Sequence, residues 1–288
     1  MSWDELKKVV SYLEAPKDAV SLLGGEPTLH TEFVEMVKWI VDQGFPVKLF
    51  TNGCTKKLRS ISDLCQTNQI KIVLNLNMPD TYNEKEWEQI ELNCSTLGSN
   101  IALSYNVFEP DFTWEHTKEA ILKWNLCNHV RVGMTQPIKG MDNAYLLEED
   151  MAKASTRLVA MAEDMAEHGI KLGFDCGFRP CSFTDEQLAI LAECGTQFAF
   201  VCNPILDIGP DLMVWRCFPF SVEEGVKLTD FNSFVEIEDY FSAKWQSTQK
   251  IGNTDNCPSC ENLVSESCAG GCLSRTFVRS DFLKTVRL

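Results

Sequence analysis

The stretch that decides the fold of this chain is AVSLLGGEPTLHTEFVEMVKWIVDQGFPVKLFTNG, residues 19–53. It begins with an apolar run that ends at Gly24 and Gly25, as a buried strand followed by a tight turn does. Residues 31–44 then repeat apolar side chains at helical spacing and stop at Gly44, and PVKLFTNG returns to a strand pattern. Strand, helix and strand in this order predict a βαβ unit, in which a helix joins two parallel strands.

The same alternation continues along the next ninety or so residues. Further strands are predicted in IKIVLNLN (70–77), IALSYNVFE (101–109) and HVRVGMTQP (129–137), and helices in EKEWEQIELNC (84–94), WEHTKEAILKWNLC (114–127) and residues 145–168. Five strands with intervening helical segments predict an α/β fold, either an unfinished (β/α) barrel or a large open parallel sheet.

The character of the chain changes after about residue 175. Cysteines become dense, and glycine, proline and polar residues interrupt the apolar runs. Two helices are still predicted there, over residues 184–195 and 228–246. We therefore expect two domains, a (β/α) domain over residues 1–175 and a small cysteine-rich domain over residues 176–288.

Composition excludes several classes of protein. The chain carries 26 basic and 41 acidic residues, a net charge of −15, so it lacks the basic surface with which proteins neutralise nucleic-acid phosphates. It has no apolar run long enough for a membrane helix and no signal-peptide pattern at its N-terminus. Without a secretion signal, its 13 cysteines are expected to be thiols in the reducing cytoplasm rather than disulfides.

The cysteines are the strongest functional signal. Cys257, Cys260, Cys268 and Cys272 are separated by two, seven and three residues, and Cys202 and Cys217 lie upstream. Such tight spacing lets a chain wrap several thiolates around one metal centre, which predicts iron–sulfur or zinc binding.

Polar residues also stand where the predicted strands end. The turn Gly24–Pro27 follows the first strand, Thr51-Asn52-Gly53 closes the second, and Asn75 and Ser104 lie in the next two. The carboxyl ends of parallel strands share one edge, so these residues are expected to line a common ligand site. Paired glycines would let a ligand approach the backbone there, and Glu26 would offer a carboxylate to a cationic group.

With these motifs the sequence resembles the radical S-adenosylmethionine enzymes that carry a C-terminal SPASM or twitch iron–sulfur extension. The resemblance lies in LLGGEPTLHTEF (22–33), in VKLFTNG (47–53) and in the cysteine array, and it runs from Val20 to Arg275. It implies a partial (β/α)6 barrel of the triosephosphate-isomerase type that lacks its first strand, followed by an iron–sulfur domain.

The resemblance also implies which residues bind S-adenosylmethionine. The family's GGEP turn holds the amino group of the methionine moiety, which assigns that role to Gly24, Gly25 and Glu26, with Pro27 completing the turn. Among the other expected cofactor-binding residues, Asn52 belongs to the TNG motif, Asn75 stands at the ribose-contacting position and Arg131 is the candidate for the cofactor carboxylate.

Two sets of thiolates follow from the same resemblance, each holding an auxiliary iron–sulfur cluster of the four-iron type. The first group is Cys202, Cys217 and Cys272, and the second group is Cys257, Cys260 and Cys268. A fourth thiolate for the first group is expected from Cys181 or Cys176, with Cys194 as an alternative. The family's last cysteine has no counterpart downstream of Cys272, so the second group is expected to have an open site or a different ligand, or to hold no cluster.

The family starts its chemistry at a four-iron cluster bound by a CxxxCxxC motif, and no cysteine precedes Cys54 here. Three explanations stay open: an N-terminally truncated form, a second chain that supplies the motif, or a relative that has lost the chemistry. The first is favoured because the GGEP turn is retained.

If the parent protein is active, the resemblance implies radical modification of a peptide or protein substrate, with electrons from a reductant such as flavodoxin or ferredoxin. The alternative is a non-catalytic iron–sulfur or zinc protein that serves as a scaffold for a partner.

Overall fold

The computed structural model of this chain describes residues 1–15, 17–138, 140–198, 200–202, 205–221 and 225–286, and for residues 280–286 it describes the backbone alone. Its largest element is a six-stranded parallel sheet with the strands in chain order. The strands are β1 (Val20–Leu22), β2 (Val47–Thr51), β3 (Ile70–Asn75), β4 (Ile101–Val107), β5 (His129–Met134) and β6 (Lys171–Phe174). The predicted α/β class is confirmed, and the sheet has one strand more than the five predicted.

A helix lies in every crossover between successive strands of this sheet, as parallel pairing requires. The crossover helices are α2 (Phe33–Asp42), α3 (Ser62–Cys65), α4 (Glu84–Leu97), α5 (Glu115–Trp124) and α6 (Met151–Ala166). Helix α1 (Trp3–Val10) precedes the sheet, and α7 (Asp185–Glu193), α8 (Phe234–Gln249), α9 (Glu261–Val264) and α10 (Leu273–Val286) follow it.

Local sequence signals set the ends of these helices. Asn83 caps α4 by accepting from the backbone N–H of Lys85 and Glu86, and the Glu86 carboxylate accepts the Asn83 N–H in return. After α2 the chain turns at Gly44, whose φ of +89° is a conformation that favours glycine. The predicted bounds of α4 are close to those observed, whereas the helices predicted to begin at residues 145 and 228 begin later, at Met151 and Phe234.

The two faces of the parallel sheet differ in burial. In β2, Val47, Leu49 and Thr51 are buried against the helices, whereas Lys48 and Phe50 are only partly covered. Side chains alternate along a strand and aligned partners share a face, so the partly covered side forms a continuous inner face across the sheet. This inner face is where the predicted cofactor residues on β3 and β5 lie.

The cysteine-rich segment, residues 200–286, has a separate architecture. Its strands β7 (Asp207–Ile208), β8 (Met213–Trp215) and β9 (Val226–Lys227) form a small antiparallel sheet. Val214, Phe220, Phe241 and other buried side chains form a second hydrophobic core between this sheet, α8 and α10.

The first helix, α1, joins the two cores. Leu6 and Val10 are buried in the large core, while Val9 and Tyr12 pack against the second. The Tyr12 hydroxyl lies 3.2 Å from the Leu228 carbonyl oxygen and 3.1 Å from that of Phe231, close enough to donate to either. None of the helices in the described ranges combines the length and apolar character that crossing a bilayer requires.

Candidate functional site

The turn after β1 is fixed by the carboxylate of Glu26. One carboxylate oxygen accepts from the Thr28 N–H at 3.1 Å, the Thr28 hydroxyl at 2.6 Å and the Thr51 hydroxyl at 2.8 Å, and the other accepts from the Asn52 N–H at 2.7 Å. Hydrogen bonds to a charged group contribute about 1.5–3 kcal/mol each. Glu26 therefore locks the GGEP turn to the carboxyl end of β2.

The glycine pair before Glu26 stands open. A side chain built on Gly24 or Gly25 would meet nothing within 4 Å, and the φ of Gly24 is +130°. Both residues are exposed at the carboxyl edge of the sheet. The backbone of this turn is thus accessible to a ligand, which fits the contact expected with the methionine moiety of S-adenosylmethionine.

A row of polar residues crosses the inner face beside this turn. Asn75 on β3 is aligned with Ser104 on β4, Ser104 with Arg131 on β5, and Arg131 with Gly173 on β6. Three strand spacings of about 4.8 Å separate β2 from β5, roughly 14 Å along the sheet, and the long Arg131 side chain reaches back across them to Phe50. Asn75 and Arg131 thus share the inner face, and the Gly24–Pro27 turn and Asn52 follow the carboxyl ends of β1 and β2.

The guanidinium of Arg131 already has partners in the protein. It donates to the Ser104 hydroxyl at 3.1 Å, forms an ion pair with Asp175 just after β6, and lies over the Phe50 ring at 5.5 Å from the centroid. Asp175 was missed in the sequence because β6, the strand that directly precedes it, was not predicted. The net charge offered to a ligand carboxylate is reduced by this pair.

The first group of cysteines is brought together with Cys176. Burial raises the pKa of the Cys217 thiol, and the nearby thiols of Cys272, Cys202 and Cys176 raise it further. Desolvation also raises the pKa of Cys176 to about 12, with Asp175, Cys272 and Cys202 adding to the shift. Each thiol is thus an electrostatic neighbour of the others, although they are far apart in sequence.

Cys272 stands at the start of α10. Burial raises the pKa of its thiol to about 11 and the Cys202 thiol adds to this, while the backbone N–H groups of Ser274 and Arg275 donate to the sulfur and oppose the shift. Donors of this kind favour the thiolate, which is the form that binds a metal.

Arg275 holds the helix that follows Cys272 to the loop after β5 of the parallel sheet. Its guanidinium donates to the Gln136 side chain at 2.7 Å and to the Leu146 carbonyl at 2.6 Å, and the Ser274 hydroxyl donates to the Pro137 carbonyl. The first group is therefore tied to the chain that follows β5.

Two members of the second group, Cys257 and Cys268, lie near Cys181. Burial raises the pKa of the Cys181 thiol, Arg179 lowers it, and the thiols of Cys257 and Cys268 raise it again. The Gly270 N–H donates to the Cys268 sulfur at 3.3 Å, and the Cys260 N–H donates to the Cys257 carbonyl at 3.1 Å. A side chain built on Gly252 would begin 2.6 Å from the Cys257 sulfur and 3.7 Å from the Gly270 Cα atom, so the chain folds back and brings Cys257 near the turn that follows Cys268.

Within the described ranges, no three His, Cys, Asp or Glu side chains converge closely enough to hold a single metal ion. A four-iron cluster takes one thiolate at each of four irons, so its ligands surround a larger unit than one ion. Thiols with raised pKa values are protonated at neutral pH, and a metal must displace those protons on binding. The donor sets are compatible with clusters on these chemical grounds.

The other cysteines have surroundings of a different kind. Burial raises the pKa of Cys65 to about 11, and burial with the Glu91 carboxylate raises that of Cys94 to about 12. At the end of α7, burial raises the pKa of Cys194, and the charged neighbours that add to it are Glu163 and Glu193 rather than thiols. Cys194 thus lies apart from both groups.

A cavity of about 840 Å³ lies between α8 and the cysteine groups. Cys202 of the first group and Cys268 of the second both line it, together with Arg216 and Lys250. Arg216 is buried, and its Nε has no hydrogen-bond partner in the described structure. The cavity is not predictable from the sequence because its wall combines residues from four separate segments.

Comparison of the sequence with known proteins gives little. No protein-family profile matches the chain. Over 36 residues, which are 12% of this chain and 13% of the relative, it is 47% identical to an S-adenosylmethionine-dependent nucleotide dehydratase of Selenomonas ruminantium.

Comparison of the structure gives more. SuiB of Streptococcus suis bound to S-adenosylmethionine matches with a TM-score of 0.60 at 14% identity, over 89% of this chain and 66% of SuiB. The same protein bound to its precursor peptide SuiA matches with a TM-score of 0.61 at 13% identity, over 90% of this chain and 64% of SuiB. The protein anSMEcpe with bound AdoMet matches with a TM-score of 0.66 at 15% identity, over 94% of this chain and 80% of anSMEcpe. The chain thus spans just under two thirds of SuiB and shares the fold of these structures.

Proposed function

We propose that this chain binds S-adenosylmethionine at the carboxyl edge of its parallel sheet and holds auxiliary iron–sulfur clusters in its cysteine-rich segment. The proposed activity of the whole protein is S-adenosylmethionine-dependent radical modification of a peptide or protein. The observation that carries the proposal is the open Gly24-Gly25 turn, locked by Glu26 to the end of β2 in a fold shared with S-adenosylmethionine-bound structures.

Each residue at the edge has a proposed task. The backbone of Gly24 and Gly25 receives the amino group of the methionine moiety, and Glu26 holds the turn in place for it. Asn75 faces the ribose. Arg131 offers its remaining N–H groups to the cofactor carboxylate, with Asp175 fixing the guanidinium in position.

The cysteine-rich segment has a supporting task. In the proposed division, residues 1–175 form the cofactor domain and residues 176–288 the cluster domain, although Phe178, Phe183 and Leu191 of the latter are buried in the large core with the sheet. Clusters held by the first and second groups would pass electrons or contact the substrate, and a small redox protein such as flavodoxin or ferredoxin would supply the electrons. Cys202, Cys217 and Cys272 lie near one another, and Cys257 and Cys268 both lie near Cys181, which supports this division of labour.

A peptide substrate is proposed because the SuiB structure with precursor peptide SuiA shares the fold. Because of the short match to a nucleotide dehydratase, a nucleotide is the alternative substrate to test against a peptide. Candidate peptides and nucleoside triphosphates would be incubated with the protein and reductant, and the products read by mass spectrometry. A mass change confined to nucleotides would overturn the peptide assignment.

The proposed function is tested by S-adenosylmethionine binding and by cleavage. The anaerobically purified protein, reconstituted with iron and sulfide, should bind S-adenosylmethionine saturably in equilibrium dialysis. Protein expressed from the intact native gene should also release 5′-deoxyadenosine under reductant. Clusters and cofactor binding without 5′-deoxyadenosine would favour the scaffold alternative, and no saturable binding would contradict the proposed site.

A further inference from the structure

The loop between β6 and α7, residues 175–184, carries two thiols on a rigid base. In its middle, Phe178 and Arg179 are buried. Phe178 stacks on Phe174 with ring centroids 4.5 Å apart, and Arg179 donates to both oxygens of Glu148 at 2.8 and 3.0 Å. Cys176 and Cys181, which flank this base, both keep exposed surface. The loop is therefore fixed by its centre, with one thiol free on each side.

The Cys176 side of the loop faces the first group. A side chain built on Gly177 would begin 3.5 Å from the Cβ atom of Cys272, so the backbone beside Cys176 is in contact with a member of that group. Cys176 lies close enough to Cys217 to interact with it electrostatically, as do Cys202 and Cys272. Cys181, the other thiol of the loop, is not among those neighbours of Cys217.

The Cys181 side faces the chain that bears the second group. A side chain built on Gly271 would begin 2.9 Å from Cδ of Arg179, which places the loop against the turn that links Cys268 to Cys272. That turn is tied to the approach of Cys257, because the Asn253 N–H donates to the Gly270 carbonyl at 3.0 Å. The electrostatic neighbours of Cys181 include Cys257 and Cys268.

We propose that this one loop completes both cysteine sites: Cys176 joins the first group and Cys181 joins the second. The assignment rests on the proposed function, in which the two groups hold clusters. The second group was expected to lack a fourth thiolate because no cysteine follows Cys272. Cys181, which precedes the group in sequence, would supply that thiolate instead. Each site then has four thiolates, the full set for a four-iron cluster.

This arrangement has a structural consequence. The loop is part of the barrel side of the molecule through Phe174 and Glu148, so each cluster would have one ligand from the barrel side and three from the cysteine-rich segment. Cluster assembly would then fix the segment against the sheet edge next to the Arg131–Asp175 pair. Loss of either loop thiol would loosen one cluster and leave the other intact.

The experiment uses full-length protein in which one site at a time is disabled. Cys202→Ala with Cys217→Ala removes the first site, and Cys257→Ala with Cys260→Ala removes the second. Cys176→Ala, Cys181→Ala or the control Cys194→Ala is then added to each background. After anaerobic reconstitution, iron and sulfide per chain and the rate of iron loss to a chelator are measured, with circular dichroism to check folding.

A crossed pattern is expected. With the first site disabled, Cys181→Ala should speed iron loss about tenfold or more, while Cys176→Ala and Cys194→Ala should leave it unchanged. With the second site disabled, Cys176→Ala should have the effect and Cys181→Ala should not. Cys181→Ser and Cys176→Ser repeat the test with side chains closer in size to cysteine.

The outcomes separate this assignment from the proposed function. If the unmutated protein takes up no iron–sulfur cluster, the proposed function fails. If both backgrounds hold a cluster but Cys181→Ala does not weaken the one in the second group, the assignment of this thiol is overturned and the proposed function stands. An effect of Cys194→Ala equal to that of the loop variants would overturn it as well.

Discussion

The parallel sheet and the cysteine-rich segment reach order by different means. At the sheet edge, Glu26 is satisfied by Thr28, Thr51 and Asn52, and Arg131 is satisfied by Ser104 and Asp175, above a large apolar core. The cysteine-rich segment has strands of two or three residues, a small core and two sets of neighbouring thiols. The polar groups of the sheet edge are thus satisfied within the protein, whereas under the proposed function the segment would be completed by metal.

Removing metal should have the largest effect and should separate the two regions. Metal binding to a site that the unfolded chain lacks adds directly to folding free energy. In the cluster-loaded protein, amides of α8 should exchange with solvent orders of magnitude more slowly than after chelation, while those of β2 and β3 should change little. Hydrogen-exchange mass spectrometry measures both regions in one sample, and equal changes in both would break the comparison.

Substitutions that create a cavity in one of the two cores should differ in whether their effect on the free energy of unfolding depends on bound metal. Leu49→Ala in the sheet should lower the free energy of unfolding by about 2–5 kcal/mol whether or not clusters are bound, because Leu49 is fully buried in the large core. Phe241→Ala in α8 should lower the free energy of unfolding of the chelated protein by about 3–5 kcal/mol. In the cluster-loaded protein, the cysteine-rich segment should not unfold in a transition of its own. Denaturant titrations followed by near-ultraviolet circular dichroism test this. A metal-dependent effect of Leu49→Ala would count against it.

The periodicity of the sequence predicts most of the sheet because apolar alternation and helix caps are local signals. β6 was missed because KLGF is only four residues long and contains a glycine. The pairing of Arg131 with Asp175 and the approach of Cys181 to the second group were not predictable, since each depends on how distant segments pack. The predicted ligands and cofactor residues themselves stay predictions.

Changing the carboxylate that organises the edge should weaken cofactor binding. Glu26→Gln keeps the shape but removes the charge that accepts four hydrogen bonds from Thr28, Thr51 and Asn52. We expect about a tenfold loss of S-adenosylmethionine affinity, equivalent to about 1.4 kcal/mol, with cluster content unchanged. Glu88→Gln, at an exposed position of α4, is the matched control and should bind as the unmutated protein does. Unchanged affinity in Glu26→Gln would remove the turn from the proposed site.

The smallest expected effect is on how the free energy of unfolding falls in acid, through the ion pair between Lys118 on α5 and Asp164 on α6. The hydrogen bond from Lys118 holds the pKa of Asp164 below its ordinary value, with a further contribution from Trp114. A lowered folded-state pKa stabilises the fold above the unfolded pKa, and this is lost as pH falls through the folded value. Asp164→Asn should therefore reduce stability at neutral pH by about 1 kcal/mol, since the pair is partly solvated, and flatten its decline below about pH 4. The same pH dependence of the free energy of unfolding in Asp164→Asn and in the unmutated protein would contradict this.

The most direct test of the division between a self-sufficient sheet and a metal-completed segment is native mass spectrometry of the protein purified without oxygen. The predicted result is a chain carrying two four-iron clusters that also retains S-adenosylmethionine when it is supplied. A folded chain that carries zinc or no metal, and that shows no S-adenosylmethionine adduct, would contradict the account.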